Sequence, residues 1–273
     1  MKRMILAQFD AAKNKTTLWL TPVIVLVLML SNYFRNVVTY RGADLVEMIQ
    51  PMHLLVLGNR SLEGNLLLIL FPALCVLPAA DLYYREHASS TEKLLCVRAG
   101  KLAYYTSRLT ATFLITFLSF AFPLLIEVIL NCIAFPLNAI GITEGYGLYT
   151  DSYRTYAEAL LCPHLASFPY VYAPLGILLF SFLGAILAVL SEAVSMVIQF
   201  PLRLFLFLPP FIVLYAPTFF ARLFLRIDTS YLFYLRLFDC SVGKNPLVPA
   251  TVVCVVLFLT AICLFKRIRS DTL

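Results

Sequence analysis

The hydrophobic pattern alternates long apolar runs with short charged breaks, and six of the runs are long enough to expect helices that cross a bilayer. They cover roughly 18–34, 65–84, 109–135, 171–197, 202–221 and 247–265, close to the ~20 residues that a spanning helix needs. Pro72 and Pro78 fall inside the second run, and Pro78 is expected to kink it. Pro209, Pro210 and Pro217 break the fifth, which reads either as a mobile broken helix or as a static kink. The fourth run pairs Ser181 with Ala185 and Gly184 with Ala188, a four-residue spacing of small side chains that lets helices approach closely.

The polar stretches have their own periods. In 1–17, Met4, Ile5, Phe9 and Ala12 recur at helical spacing among Lys2, Arg3, Asp10 and Lys13, which reads as an amphipathic helix on the inner membrane surface or as a basic tail. Residues 35–64 carry Asp44, Glu47, Glu63 and three arginines around an apolar middle, 45–57, that Pro51 interrupts. That middle is too short to span and is expected as an interfacial helix on the outer side. The longest break, 136–170, is rich in tyrosine and glycine with Arg154 as its one basic residue. It is read as an external loop, a folded cap more than a binding site.

Composition turns these runs into a class. With 61% hydrophobic and 13% charged residues and a mean hydropathy of +0.88, the chain is too apolar for a soluble domain. The expected fold is all-α: one polytopic membrane domain, 1–273, with six transmembrane helices and both termini cytosolic. With both ends inside, thirteen Lys and Arg lie on the cytosolic side and eight outside, in the direction that short loops favour. The net charge of +6 sits at the termini and in the loop 85–108, which suits a bilayer surface and its lipids and not nucleic acid.

The inventory for chemistry is thin. Seven cysteines form no CxxC pair, and Cys132, Cys162 and Cys240 at the outer face admit one disulfide. His53, His87 and His164 are far apart, and no phosphate loop, HExxH or GxSxG occurs, so no catalytic residue, cofactor site or metal site is assigned. Three acids fall in or beside the apolar runs. Asp81 and Glu192 are expected near inner span ends, either wet or paired with Arg85 and Arg203 respectively. Glu127 lies deeper, in the outer half of the third span, where it either lines a substrate pathway or bonds a neighbouring helix.

The loop 85–108 is the most informative segment. Ser89 and Glu92 have the spacing of a capping box, a helix is expected over 90–98, and Gly100 is a natural terminator. Leu94, Leu95 and Val97 then offer apolar surface that no membrane span requires, either to a partner or to the membrane interface. Glu86, Ser89, Ser90, Thr91, Glu92, Leu94, Leu95, Arg98 and Lys101 together resemble the coupling helix of type-2 ABC exporter permeases, between the second and third of six spans. Such members commonly have Gly before Thr, where this chain has Ser90. The resemblance implies a partner ATPase subunit that binds ATP and Mg, a second permease copy or homologue, and outward transport. Leu94 and Leu95 would be buried in a cleft of that partner, with Glu86, Glu92 and Arg98 at its rim. The competing expectation is a secondary transporter or channel that works without ATP and couples ions through Glu127.

Overall fold

The computed structural model describes residues 2–13, 16–43, 48–58, 61–78, 83, 86–87, 91–137, 168–198, 202–224, 230–238 and 245–269. All regular structure among them is helical. The helices are α1 (Lys2–Lys13), α2 (Thr16–Thr39), α3 (Leu62–Val76), α4 (Thr91–Ala99), α5 (Lys101–Ala134), α6 (Pro169–Val197), α7 (Leu208–Phe224), α8 (Tyr231–Leu235) and α9 (Leu247–Arg269). Short 3-10 turns at Pro51–Leu54 and Arg203–Phe207 complete the set. Four helices, α2, α5, α6 and α9, are long and apolar enough to cross a membrane, which fits a multi-pass membrane protein. The second and fifth expected spans are represented by shorter apolar helices, Leu62–Val76 and Leu204–Phe219.

The 34 residues of α5 give it a length of about 51 Å at 1.5 Å per residue, well beyond a hydrocarbon core of about 30 Å. The helix therefore runs from the polar loop through the apolar zone without a joint, and Pro123 does not interrupt it. Its broadest partner is α6. Gly184 makes that packing close: a Cβ there would stand 3.2 Å from the Phe120 ring and 3.3 Å from Phe71. Ser181, Ala185 and Ala188 are buried along the same helix, as the small-residue spacing predicts. Phe71, Phe120 and Phe180 meet there, with Phe71 and Phe180 centroids 4.5 Å apart. Between helices in lipid, such van der Waals closeness replaces the hydrophobic drive of a soluble core.

In the described part of the segment expected as an interfacial helix, 48–57, the regular structure is a 3-10 turn. After the Pro51–Leu54 turn the chain runs inward, and Leu54, Leu55, Val56 and Leu57 are at most 2% exposed. An apolar run broken by proline reads alike whether it lies on a surface or plugs a bundle. The difference is made by side chains that satisfy its backbone. Leu54 O accepts from Asn32 Nδ2 (2.8 Å) and Asn36 Nδ2 (2.9 Å), while Val56 N donates to Glu127 Oε1 (2.8 Å). Without those partners each buried backbone group would cost about 1–3 kcal/mol.

A helix, α1, forms over Lys2–Lys13 and packs on α5, with Gln8 and Ala12 buried. The expected helix in the charged loop also forms. It ends at Gly100, whose φ of +82° favours glycine, and Gly100 N donates to Cys96 O at 2.9 Å. Most of the external loop, 138–167, lies outside the described residues, as do Asp81, Arg85, Ser89, Ser90, His164, Cys162 and Cys240. Cys132 carries a free thiol.

Candidate functional site

Helical periodicity splits α4 into two faces. Glu92 and Cys96, four residues apart, point inward and are 2% and 4% exposed. Leu94, Val97 and Arg98 point away, with Leu94 68% and Val97 80% exposed. Leu95 packs at the edge against a small core of Tyr83, Cys96, Tyr104, Tyr105, Ala193 and Met196. The outward face is apolar and basic, and the rest of the protein leaves it uncovered.

Two linked charge clusters hold the inward face. Glu92 is the centre of the first. Its carboxylate accepts from Tyr105 Oη at 2.6 Å, from Arg267 Nη2 at 2.9 Å and from Tyr83 Oη at 3.2 Å. His87 Nδ1 lies 2.6 Å from its other oxygen. Burial works against the charged form, but the bonds from Tyr105, Arg267 and His87 outweigh it and hold the carboxyl at about 2. The oxygens of Glu92 are thus held by α5, by the far end of α9 and by Tyr83 and His87; the expected capping box rests on Ser89, outside the described residues.

Arg108 is the centre of the second. It lies two turns into α5, fully buried, with Nε donating to Glu192 Oε1 at 2.7 Å and Nη1 to Glu86 Oε1 at 2.8 Å. Nη1 also reaches Gln8 Oε1 of α1, and Tyr104 Oη donates to Glu86 Oε2 at 2.5 Å. The planar guanidinium suits this position because its fixed fork serves several acceptors at once. Glu192 is thus not wet: it is fully buried, and Arg108 of α5 supplies a cation to it. An acid facing the interior of a bundle is held there by the nearest charge of opposite sign, and Arg108 reaches it from the adjoining helix.

The two clusters adjoin at Tyr105 and Tyr104, neighbours on α5 whose ring centroids are 5.1 Å apart, and together they join α4 and residues 86–87 to α1, α5, α6 and α9. Charge-assisted bonds in a buried setting are among the strongest a protein makes. Displacing α4 must either break them or move those helices with it. Glu86 and Glu92 have internal partners, so the surface offered outward is Leu94, Val97 and Arg98.

Glu127 lies about 28 Å along α5 from Arg108, at the other end of the bundle. It is fully buried, with Oε1 shared by Val56 N and Asn32 Nδ2 (3.1 Å), so it bonds a neighbouring helix and the inserted 51–57 segment. Nearby, Arg35 pairs with Glu63 at 3.0 Å. Among the described residues no group of three or more His, Cys, Asp or Glu has the arrangement of a metal site.

Sequence reasoning missed Gln8, Tyr83, Tyr105 and Arg267 as parts of the clusters, and took Glu192 for a surface acid. One signal was present: an Arg at the start of one apolar run and an acid near the end of the next are each costly alone and affordable as a pair. Compared with family models, curated proteins and solved structures, the chain matches none.

Proposed function

We propose that this chain is the membrane-spanning permease subunit of an ABC exporter, set in the cytoplasmic membrane with six crossings and with α4 on the cytosolic side as its coupling helix. The observation that carries the reading is the division of α4. Its outer face leaves Leu94 and Val97 bare beside Arg98, while its inner face is locked by Glu92 into the membrane helices. A partner that grips the bare face would move α5, α6 and α9 through the two charge clusters. ATP and Mg would be bound by that partner, an ATP-hydrolysing subunit, and a second permease copy or homologue would complete the pathway. When two ATPase subunits close, α4 would follow and the spans would tilt between two arrangements. Outward transport follows from the family resemblance alone.

The alternative, an ATP-independent transporter or channel coupled through Glu127, draws less support. Glu127 Oε1 is occupied in bracing the inserted segment, which is a structural task. Purification of the tagged protein in mild detergent tests the choice. Recovery of an ATP-binding-cassette subunit from the wild type, and its loss from Leu94→Arg with unchanged thermal stability, supports the permease reading. Recovery of a folded chain with no ATPase, in both, overturns it.

A further inference from the structure

Away from the charge clusters, α6, α7, α8 and α9 enclose a cavity of about 460 Å³ that opens on one side. The size falls within the range of ligand pockets, roughly 300–1,000 Å³. Its walls come from positions 172–183 of α6, the second half of α7, α8 with the residues after it, and the first turns of α9. These are the ends of α6 and α9 remote from Glu192 and Arg267. The lining is almost wholly apolar, with Leu179, Phe180, Leu183, Val213, Leu214 and Val253 as its main surfaces.

Two of the three tyrosine hydroxyls that border it, those of Tyr172 and Tyr231, have partners. Tyr172 Oη donates to Leu237 O at 3.1 Å, and Tyr231 Oη meets Tyr215 Oη at 2.8 Å and Leu68 O at 3.3 Å. A polar solute would find little to bond. A dry void of this size forfeits the dispersion contacts of its lining, whereas a flexible apolar chain would recover them. The wall formed by α9 is thin, since Val256 and Thr260 are the buried residues of that helix and Val255, Leu257 and Phe258 face outward. The cavity therefore adjoins the surface that meets lipid.

Among its described lining residues the charged one is Arg236. Arg236 sits in the segment beyond α8 and donates to Asn65 Oδ1 at the start of α3. Glu63, which pairs with Arg35, is two residues from Asn65, so Arg236 lies at the charged end of α3. A guanidinium has five donors and a geometry matched to phosphate.

We propose that this cavity is a binding site for one acyl chain of an anionic phospholipid, with the phosphate at Arg236. The site is independent of the transporter reading and would exist in a channel as well.

The test uses the full chain reconstituted in vesicles, with its one tryptophan removed (Trp19→Phe) and a reporter placed in the cavity, Leu183→Trp or, should that fail to fold, Val253→Trp. Phe258→Trp, on the outward face of α9, is the control for ordinary lipid contact. The probes are phosphatidylglycerol and phosphatidylcholine with brominated acyl chains, which quench a tryptophan they touch. The cavity reporter is expected to be quenched with about fivefold preference for phosphatidylglycerol, the size of effect one basic residue gives at a bilayer surface. That preference should vanish in Arg236→Gln, persist in Arg236→Lys and be absent from the Phe258→Trp control. A cavity reporter left unquenched while the control is quenched would overturn the site, as would quenching that rises only on diluting the protein in lipid, the mark of a second copy filling the cavity. Equal quenching by both lipids would overturn the assignment of Arg236.

Discussion

Replacing Arg108 by methionine tests the charge clusters at their centre. The change keeps an apolar stem of similar reach and removes the cation from two acids. Glu86 retains 16% side-chain exposure and can recover water, so most of the penalty falls on Glu192, which is fully buried and left without a cation. Breaking a buried pair from one side costs about 3–5 kcal/mol. Against a total stability of roughly 5–15 kcal/mol, that is a large share. Glu192→Gln alone should cost less, because Arg108 keeps Glu86 and Gln8. The double variant should return to within about 1 kcal/mol of the wild type, since removing both charges leaves neither stranded, with a coupling of at least about 2–4 kcal/mol. Unfolding by SDS titration in mixed micelles measures all four proteins. The effect should persist in high salt, because a buried pair is little screened. If Arg108→Met costs less than about 1 kcal/mol, or if the two single costs simply add, Arg108 does not hold the helices together and the reasoning fails.

Other outcomes follow from the same geometry. Glu92 binds its proton less readily in the folded protein (about 2) than at its ordinary value of 4.5, so its contribution is complete above about 4.5 and is lost as pH falls toward 2. Thermal unfolding across that range should show the loss in the wild type and a flatter profile in Glu92→Gln. Glu127→Leu strips the Val56 amide of its acceptor and the Asn32 amide of one of two, and should cost about 2–3 kcal/mol, while Glu127→Gln keeps an oxygen there and should cost less than about 1, by the same SDS titration. Asn131 is fully buried and neither amide atom has a hydrogen-bond partner, so Asn131→Leu should be neutral or stabilising by about 1 kcal/mol, read as a raised melting temperature. Gly184→Leu should destabilise by about 1–3 kcal/mol or more, because the added side chain meets the Phe120 and Phe71 rings.

What the sequence disclosed depended on how local the physics was. The apolar runs, the amphipathic α1, the helix ended by Gly100 and the small-residue face around Gly184 are all periodic or adjacent signals, and each is present in the fold. The inserted 51–57 segment was not legible, because its backbone partners Asn32 and Glu127 lie far from it in the chain and no local pattern separates a surface run from a plug. The same is true of the charge clusters. Glu192 and Arg108 are 84 positions apart, and Glu92 and Arg267 are 175 apart. A pairing of Glu192 with Arg108 across 84 positions is made by the packing of α5 on α6 and has no counterpart in the local pattern. The inward turn of Glu86 also changes which variants are informative. A Glu86→Lys change would strike the Arg108 cluster as well as any partner, while Leu94→Arg alters only an exposed side chain.

The central claim is that the bare face of α4 is gripped by an ATPase subunit. Placing a photo-crosslinking amino acid at Val97, 80% exposed, and irradiating intact native membranes asks this directly. The account predicts one dominant adduct, with an ATP-binding-cassette subunit, formed from position 97 and absent when the same group is placed at Phe258 on the lipid-facing side of α9. Adducts from position 97 with lipid alone, or identical products from both positions, would contradict it.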